Sequence, residues 1–148
     1  MRYFEEFKEG MSEYSTERYK VTVDEIVEFG HRWDPQPFHI NPDAAKKTLF
    51  GGIVSPAVHL FSIAVRLVTK VSAERQAAII SGLGFNNLKL QLPVRPGDIL
   101  KSKSTVIKSR LSTSKEGVGI VTFFSELITQ RDEVAFSYET TVMIASKK

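Results

Sequence analysis

The stretch from Ser55 to Ser72, SPAVHLFSIAVRLVTKVS, constrains the fold more than any other part of the chain. Ser55 can cap a helix there, and Pro56 suits a first helical position, where a missing N–H costs nothing. Val58, Leu60, Phe61, Ile63, Ala64, Val65, Leu67 and Val68 point almost all round that helix, leaving Arg66 and Lys70 as its one polar edge. A helix apolar on most of its faces has to be buried. What buries it comes next in the chain. After Ala78 the texture turns to strands: IISGLGFNNLKLQLPV with glycine irregularities, the alternating ILKSKSTVIKSRL, then VGIVTFFSELITQ and EVAFSYETTVMIA joined by a turn around Arg131 and Asp132. Between the first two lies RPGD, a turn in which Pro96 sets φ and Gly97 allows a positive one. One strand, a buried helix and a run of antiparallel strands specify an α+β fold, with the sheet wrapped around the helix.

The 148 residues suit one domain spanning 1–148, long enough to build a core without staples. With no cysteine, disulfides, thiolate metal sites and cysteine nucleophiles are excluded. A net charge of +3 with no basic run argues against a nucleic-acid partner. The start MRYFEEFKEG has neither the basic start nor the apolar stretch of a signal peptide, and no apolar run approaches a membrane span. The expectation is a cytoplasmic protein with no membrane partner.

In the first half, residues 13–21 alternate as a strand. Thr22 and Glu25 have the spacing of a capping box opening a helix with Val23, Ile26 and Val27 on its stripe, ended by Gly30 or by Asp34-Pro35. Asn41-Pro42 opens another short helix. Between these lies WDPQPFHINPDAAKKTLFGG, the one segment with an acid and a histidine fixed close together. Fully extended, the five residues from Asp34 to His39 would span roughly 17 Å, and Pro35 and Pro37 make regular helix across them unfavourable. If the two side chains act together, the segment must curve; otherwise Asp34 caps the turn and His39 packs in the loop. The Ser55 helix start adds a second element. Pro56 donates nothing, so the Ala57 amide is a free donor aimed outward, favouring negative charge, or the start is an ordinary cap. Gly51-Gly52 reads as a turn or a close backbone approach. No histidine pair has metal-ligand spacing, no glycine loop cradles phosphate, and no serine sits in a nucleophile elbow. His59 reads as a satisfied core histidine and His31 as a surface or helix-end residue. Arg95 reads as solvated, with CoA phosphates as its alternative, and Trp33 and Phe38 read as packing residues, with the lining of an acyl tunnel as their alternative.

DPQPFHINPDAAKKTLFGGIV, a buried helix, GLGFNNLKLQLPVRPGD and the hairpin strands, in that order, resemble the MaoC-like dehydratases, the (R)-specific enoyl-CoA hydratase family. The resemblance covers nearly the whole chain. It implies a hot-dog fold with an antiparallel sheet around the 55–70 helix, and a homodimer whose sheets join edge to edge. It also implies hydration of a trans-2-enoyl thioester of CoA or a carrier protein to the (R)-3-hydroxyacyl thioester, or the reverse. The family's catalytic Asp and His fall on Asp34 and His39, the thioester oxygen falls near the Ala57 amide, and Ser55 and Gly52 fall in the same substrate-binding segment. No cofactor or metal is implied. Many relatives carry Asn where this chain has Gln36, and Ser or His followed by Gly where it has Pro56 and Ala57; these departures bear on the substrate. Two other functions fit the fold. A hot-dog thioesterase often uses a carboxylate on or near the central helix, and no acid occurs here between Asp43 and Glu74. A non-catalytic acyl-thioester binding protein is the other.

Overall fold

The computed structural model describes residues 1–148. Its core is the helix α4, Ala57–Thr69, laid across a six-stranded antiparallel sheet. The strands are β1 (Ser12–Tyr14), β2 (Tyr19–Lys20), β3 (Ile79–Leu90), β4 (Ile99–Leu111), β5 (Val118–Ile128) and β6 (Val134–Ala145), in the order β1-β4-β5-β6-β3, with β2 also on β4. The three smaller helices α1 (Val23–Trp33), α2 (Pro37–Ile40) and α3 (Pro42–Lys46) connect β2 to α4. None of the helices is long and apolar enough to cross a membrane.

The apolar circumference of α4 predicts its position. Leu60, Ile63, Ala64 and Leu67 pack against Leu100 of β4, Leu127 of β5, and Ala135, Phe136 and Tyr138 of β6. Each fully buried leucine or isoleucine contributes roughly 1.5–3 kcal/mol relative to an exposed one. A second cluster at the other end of the sheet joins Val106, Val121, Val142 and Ile144 under Phe7 of the N-terminal segment.

The predicted strand over 13–21 is broken in two. The Ser15 amide still donates to the Ser102 carbonyl at 2.8 Å, but its hydroxyl, bonded to the Glu17 carbonyl at 2.8 Å, takes the Ser102 amide at 3.0 Å, so a side chain stands in for the next ladder bond. The helix start is also shifted from expectation. Pro56 is the N-cap and Ala57 the first helical residue, while Ser55 makes no capping bond. The turn before β4 forms as expected, with Gly97 at φ +92°. Its Asp98 is a clip: the carboxylate accepts from the Arg95 amide (2.9 Å), Gln130 (2.8 Å) and Arg131 (3.2 Å), tying the turn to the β5–β6 hairpin.

Candidate active site

Thr22 caps α1 by accepting the Glu25 amide, and the helix runs to Trp33, stopping where Pro35 forces its predecessor out of helical geometry. Asp34 is therefore the C-cap residue, its amide still bonded to the Gly30 carbonyl. Two turn bonds then fold the chain back: the Gln36 amide donates to the Asp34 carbonyl at 2.8 Å, and the His39 amide donates to the Gln36 carbonyl at 2.9 Å. Pro37 opens the single turn of α2 rather than preventing it, because it occupies the first helical position. The segment thus curves, and Asp34 Oδ2 lies 3.5 Å from His39 Nε2.

The orientation of the imidazole is set from behind. His39 is 6% exposed, and its Nδ1 lies 2.6 Å from the Val54 carbonyl oxygen. A carbonyl only accepts, so Nδ1 carries a proton, and in the neutral form of the ring Nε2 presents a lone pair. The Asp34 carboxylate facing it is also an acceptor. Two acceptors 3.5 Å apart have no proton to share directly, but both can accept from one water. Gly30 makes the approach possible. A β-carbon there would sit 2.8 Å from Ile40 Cγ2 and 3.1 Å from His39 Cβ, so α2 lies on α1 only because residue 30 has no side chain. Phe38 packs edge-on against the His39 ring, 4.4 Å between centroids, and against Phe50. Trp33 does not pack as expected. It projects from the last turn of α1, 66% exposed, with Arg32 beside its ring.

Val54, which anchors His39, leads directly into α4. The Ser55 amide donates to the Val94 carbonyl at 2.8 Å, and Pro56 turns the chain into the helix at φ −58°. The Ala57 and Val58 amides have no acceptor within the chain, the condition of a helix start open to a ligand. Asp34, His39, Ser55 and Ala57 are thus linked through the Val54–Ser55 step. Gly52 stands beside the exposed Arg95, whose Nη1 lies 3.8 Å from where a Gly52 β-carbon would be. His31 is exposed.

Sequence reasoning passed over two residues. Glu25 caps nothing with its carboxylate. It accepts from the Tyr19 hydroxyl and lies 3.1 Å from His59 Nε2, on a helix that itself carries no acid. Burial, then the hydrogen bond to Glu25 and its charge, push the Tyr19 phenol up to about 12, so it stays a donor. The only sequence signal was His59 itself, a polar residue inside an apolar stripe.

A cavity of about 500 Å³ lies under the C-terminal half of α4, walled by Val65, Val68, Phe85, Phe123 and Val142. Asp34, His39 and Ala57 do not line it, so the site is identified by its hydrogen-bond geometry rather than by this cavity. No group of three or more His, Asp or Glu side chains is placed to hold a metal ion.

The model of the MaoC-like domain family matches residues 6–125. A crystal structure of the MaoC-like dehydratase from Rhodospirillum rubrum is similar at a TM-score of 0.89 and 30% identity, over 100% of this chain and 99% of that one. The (R)-hydratase from A. caviae, involved in PHA biosynthesis, shares the fold at a TM-score of 0.72 and 23% identity, over 93% of this chain and 96% of that one. Among curated proteins, YdeM of Bacillus subtilis, itself uncharacterised, is 27% identical over 131 residues, 88% of this chain and 91% of that protein. A sheet wrapped around one helix, a solved MaoC-like dehydratase similar over the whole chain and a family match over most of its length agree: this is a hot-dog protein, and the chain belongs to the family of MaoC-like dehydratases and hydratases.

Proposed function

We propose that the protein hydrates a trans-2-enoyl thioester to the (R)-3-hydroxyacyl thioester, or catalyses the reverse dehydration, with Asp34 and His39 as the acid–base pair. The observation that carries this reading is the pair of facing acceptors, Asp34 Oδ2 and His39 Nε2 at 3.5 Å, with the ring locked by Val54. Bulk water, with a pKa near 15.7, is a poor nucleophile until a base takes its proton. Held by both acceptors, one water presents its oxygen lone pair to the substrate. Its oxygen bonds to C3 while one of its protons passes to the pair. The C2–C3 π electrons move toward the thioester carbonyl, and a proton from the pair then closes C2. Base and acid are roles of the pair, since both side chains can reach the same water. Negative charge gathers on the thioester oxygen as the enolate forms. The free Ala57 amide, supported by the helix dipole, is the donor for it.

The substrate class is a thioester of CoA or of a carrier protein; Ser55 and Gly52 belong to the segment that binds it, and no metal or redox cofactor is needed. The same reading makes the protein a homodimer through β3. That strand is bonded on one side only, to β6, and Ile80, Leu83, Leu88 and Leu90 along it are exposed. An exposed apolar edge strand is a template for another strand, and a second copy of itself satisfies it symmetrically.

The test is loss of the enoyl absorbance with crotonyl-CoA and with longer and branched enoyl-CoAs. Asp34→Asn, which keeps the shape and removes the base, lowers kcat by roughly 10²–10⁴. Full activity in that variant overturns the assignment.

A further inference from the structure

Two buried polar residues, Ser55 just before α4 and His59 within it, have side chains that take no part in the proton transfers just described. Ser55 is 4% exposed and His59 2%, and their side chains meet at 2.6 Å between Oγ and Nδ1. With the His59 ring neutral, the direction of every bond in the chain they belong to follows. Tyr19 donates its hydroxyl to Glu25. The Glu25 carboxylate can only accept, so His59 Nε2–H donates to it across 3.1 Å. The neutral ring then has a lone pair at Nδ1, which accepts the Ser55 hydroxyl proton. Phe29 closes the ring in from the side, 4.7 Å between centroids.

For stability alone, an apolar side chain at position 59 would serve, as Leu60, Ile63 and Leu67 do beside it. Replacing buried ionic networks by well-packed apolar residues is often neutral or stabilising. What the polar chain fixes is a place. Ser55 is tied through its amide to Val94 and through its hydroxyl to His59. Val54 is tied through its amide to the Phe38 carbonyl and through its own carbonyl to His39. The Val54–Ser55 step is therefore gripped from the catalytic loop on one side and from α1 and α4 on the other. Pro56, with no N–H and a fixed φ, passes that orientation directly to the Ala57 amide.

We infer that Glu25, His59 and Ser55 form a positioning relay that sets the Val54–Ser55 step, and with it the Ala57 amide, against the substrate's thioester oxygen. This rests on the hydration reading, and none of the three touches the reacting atoms. Because the oxyanion contact strengthens only as charge develops, loosening the relay lowers kcat and leaves KM nearly unchanged.

The experiment compares His59→Leu, which breaks both ring bonds, with His59→Asn, whose amide oxygen can still accept from Ser55, and with Ser55→Ala. Glu25→Gln, on the half-exposed end of the chain, is the variant least able to disturb folding. Expected in His59→Leu and Ser55→Ala is a kcat loss of roughly 10–100-fold, the scale of a small misplacement of a catalytic donor. KM stays within about threefold, kcat is partly restored in His59→Asn, and the double variant is no worse than His59→Leu alone, as coupled residues require. The Ala57 amide resonance, followed by NMR in the intact protein, shifts in His59→Leu and Glu25→Gln and returns toward its original position in His59→Asn. A kcat within twofold of the original in an active protein, or losses that multiply in the double variant, overturns the relay. If the unsubstituted protein turns over no enoyl thioester, the hydration reading fails, and the Ala57 resonance then judges the relay by itself: no shift in either variant overturns it. Thiol release from acyl-CoA that disappears in Ser55→Ala also overturns it, by making Ser55 a nucleophile.

Discussion

Gly30→Ala tests whether the position of His39 governs turnover. The new methyl carbon falls 2.8 Å from Ile40 Cγ2, 3.1 Å from His39 Cβ and 3.3 Å from the His39 carbonyl oxygen. Carbon pairs rest at about 3.5–4.0 Å, so α2 must lift from α1 by roughly 0.7–1.2 Å. Alanine gains about 1 kcal/mol over glycine inside a helix, and overpacking costs about 1–3 kcal/mol, so the net change runs from nearly zero to a loss of about 2 kcal/mol. At the size of this chain that lowers Tm by no more than about 8 °C. The chemistry is far less tolerant. His39 hangs on a 2.6 Å bond to Val54 and faces Asp34 at 3.5 Å, and a displacement near 1 Å is enough to cost about 10²-fold in rate. The expected result is a folded protein with kcat down roughly 10–100-fold on crotonyl-CoA. Gly119→Ala is the control. Its methyl would sit 1.9 Å from the Phe4 ring, a harsher clash but one beneath the N-terminal segment, so it lowers Tm and leaves kcat unchanged. A Gly30→Ala protein that loses stability while keeping kcat within twofold refutes the argument, because His39 would then move without consequence.

The remaining predictions concern acid stability, assembly and the base. Burial alone would raise the Asp98 carboxyl, but its bonds from the Arg95 amide, Gln130 and Arg131 outweigh that and hold it below the ordinary carboxylate range. A depressed folded pKa gives stability that is complete above the unfolded value, near pH 4, and lost as pH falls through the folded one. Asp98→Asn should therefore narrow the gap in Tm between pH 6 and pH 3, and an unchanged gap refutes the clip. Leu83→Asp places a charge on the exposed edge strand β3 and should halve the mass measured by sedimentation, while a monomeric unsubstituted protein removes the dimer proposal. Asp34→Asn combined with His39→Gln should lose no more of kcat on crotonyl-CoA than the more damaging single change, since both act on one water, and losses that multiply refute the pairing.

What could be read from the sequence divides by the range of the interaction. The burial of α4 and the strands after Ala78 were legible because one periodicity, all-round apolar or alternating, determines each of them. The curve between Asp34 and His39 was legible only as a condition. Proline excludes a regular helix across the pair, but the two turn bonds that close it depend on Pro37 starting a new helix, which proline does as readily as it ends one. Glu25 illustrates the opposite case. Its spacing from Thr22 describes a local capping box, and the Thr22 half does form, yet the carboxylate goes to Tyr19 and to His59, 34 residues away. Trp33 stands in the open as the last residue of α1, where the residue type alone suggested packing. The break in the 13–21 strand has the same cause as at Glu25, a Ser15 hydroxyl exchanging bonds with Glu17 and with Ser102 on a distant strand. Local patterns thus placed the elements, and long-range polar side chains decided how they join. The Val54–Ser55 step is where this matters most for function. Its apolar and hydroxyl side chains give no sign in the sequence that His39 from one side and His59 from the other converge on it. On the proposed relay the site is tuned by residues outside the reacting group, so substitutions at Glu25, Gly30 and His59 should report on turnover as sensitively as those at Asp34 or Ala57.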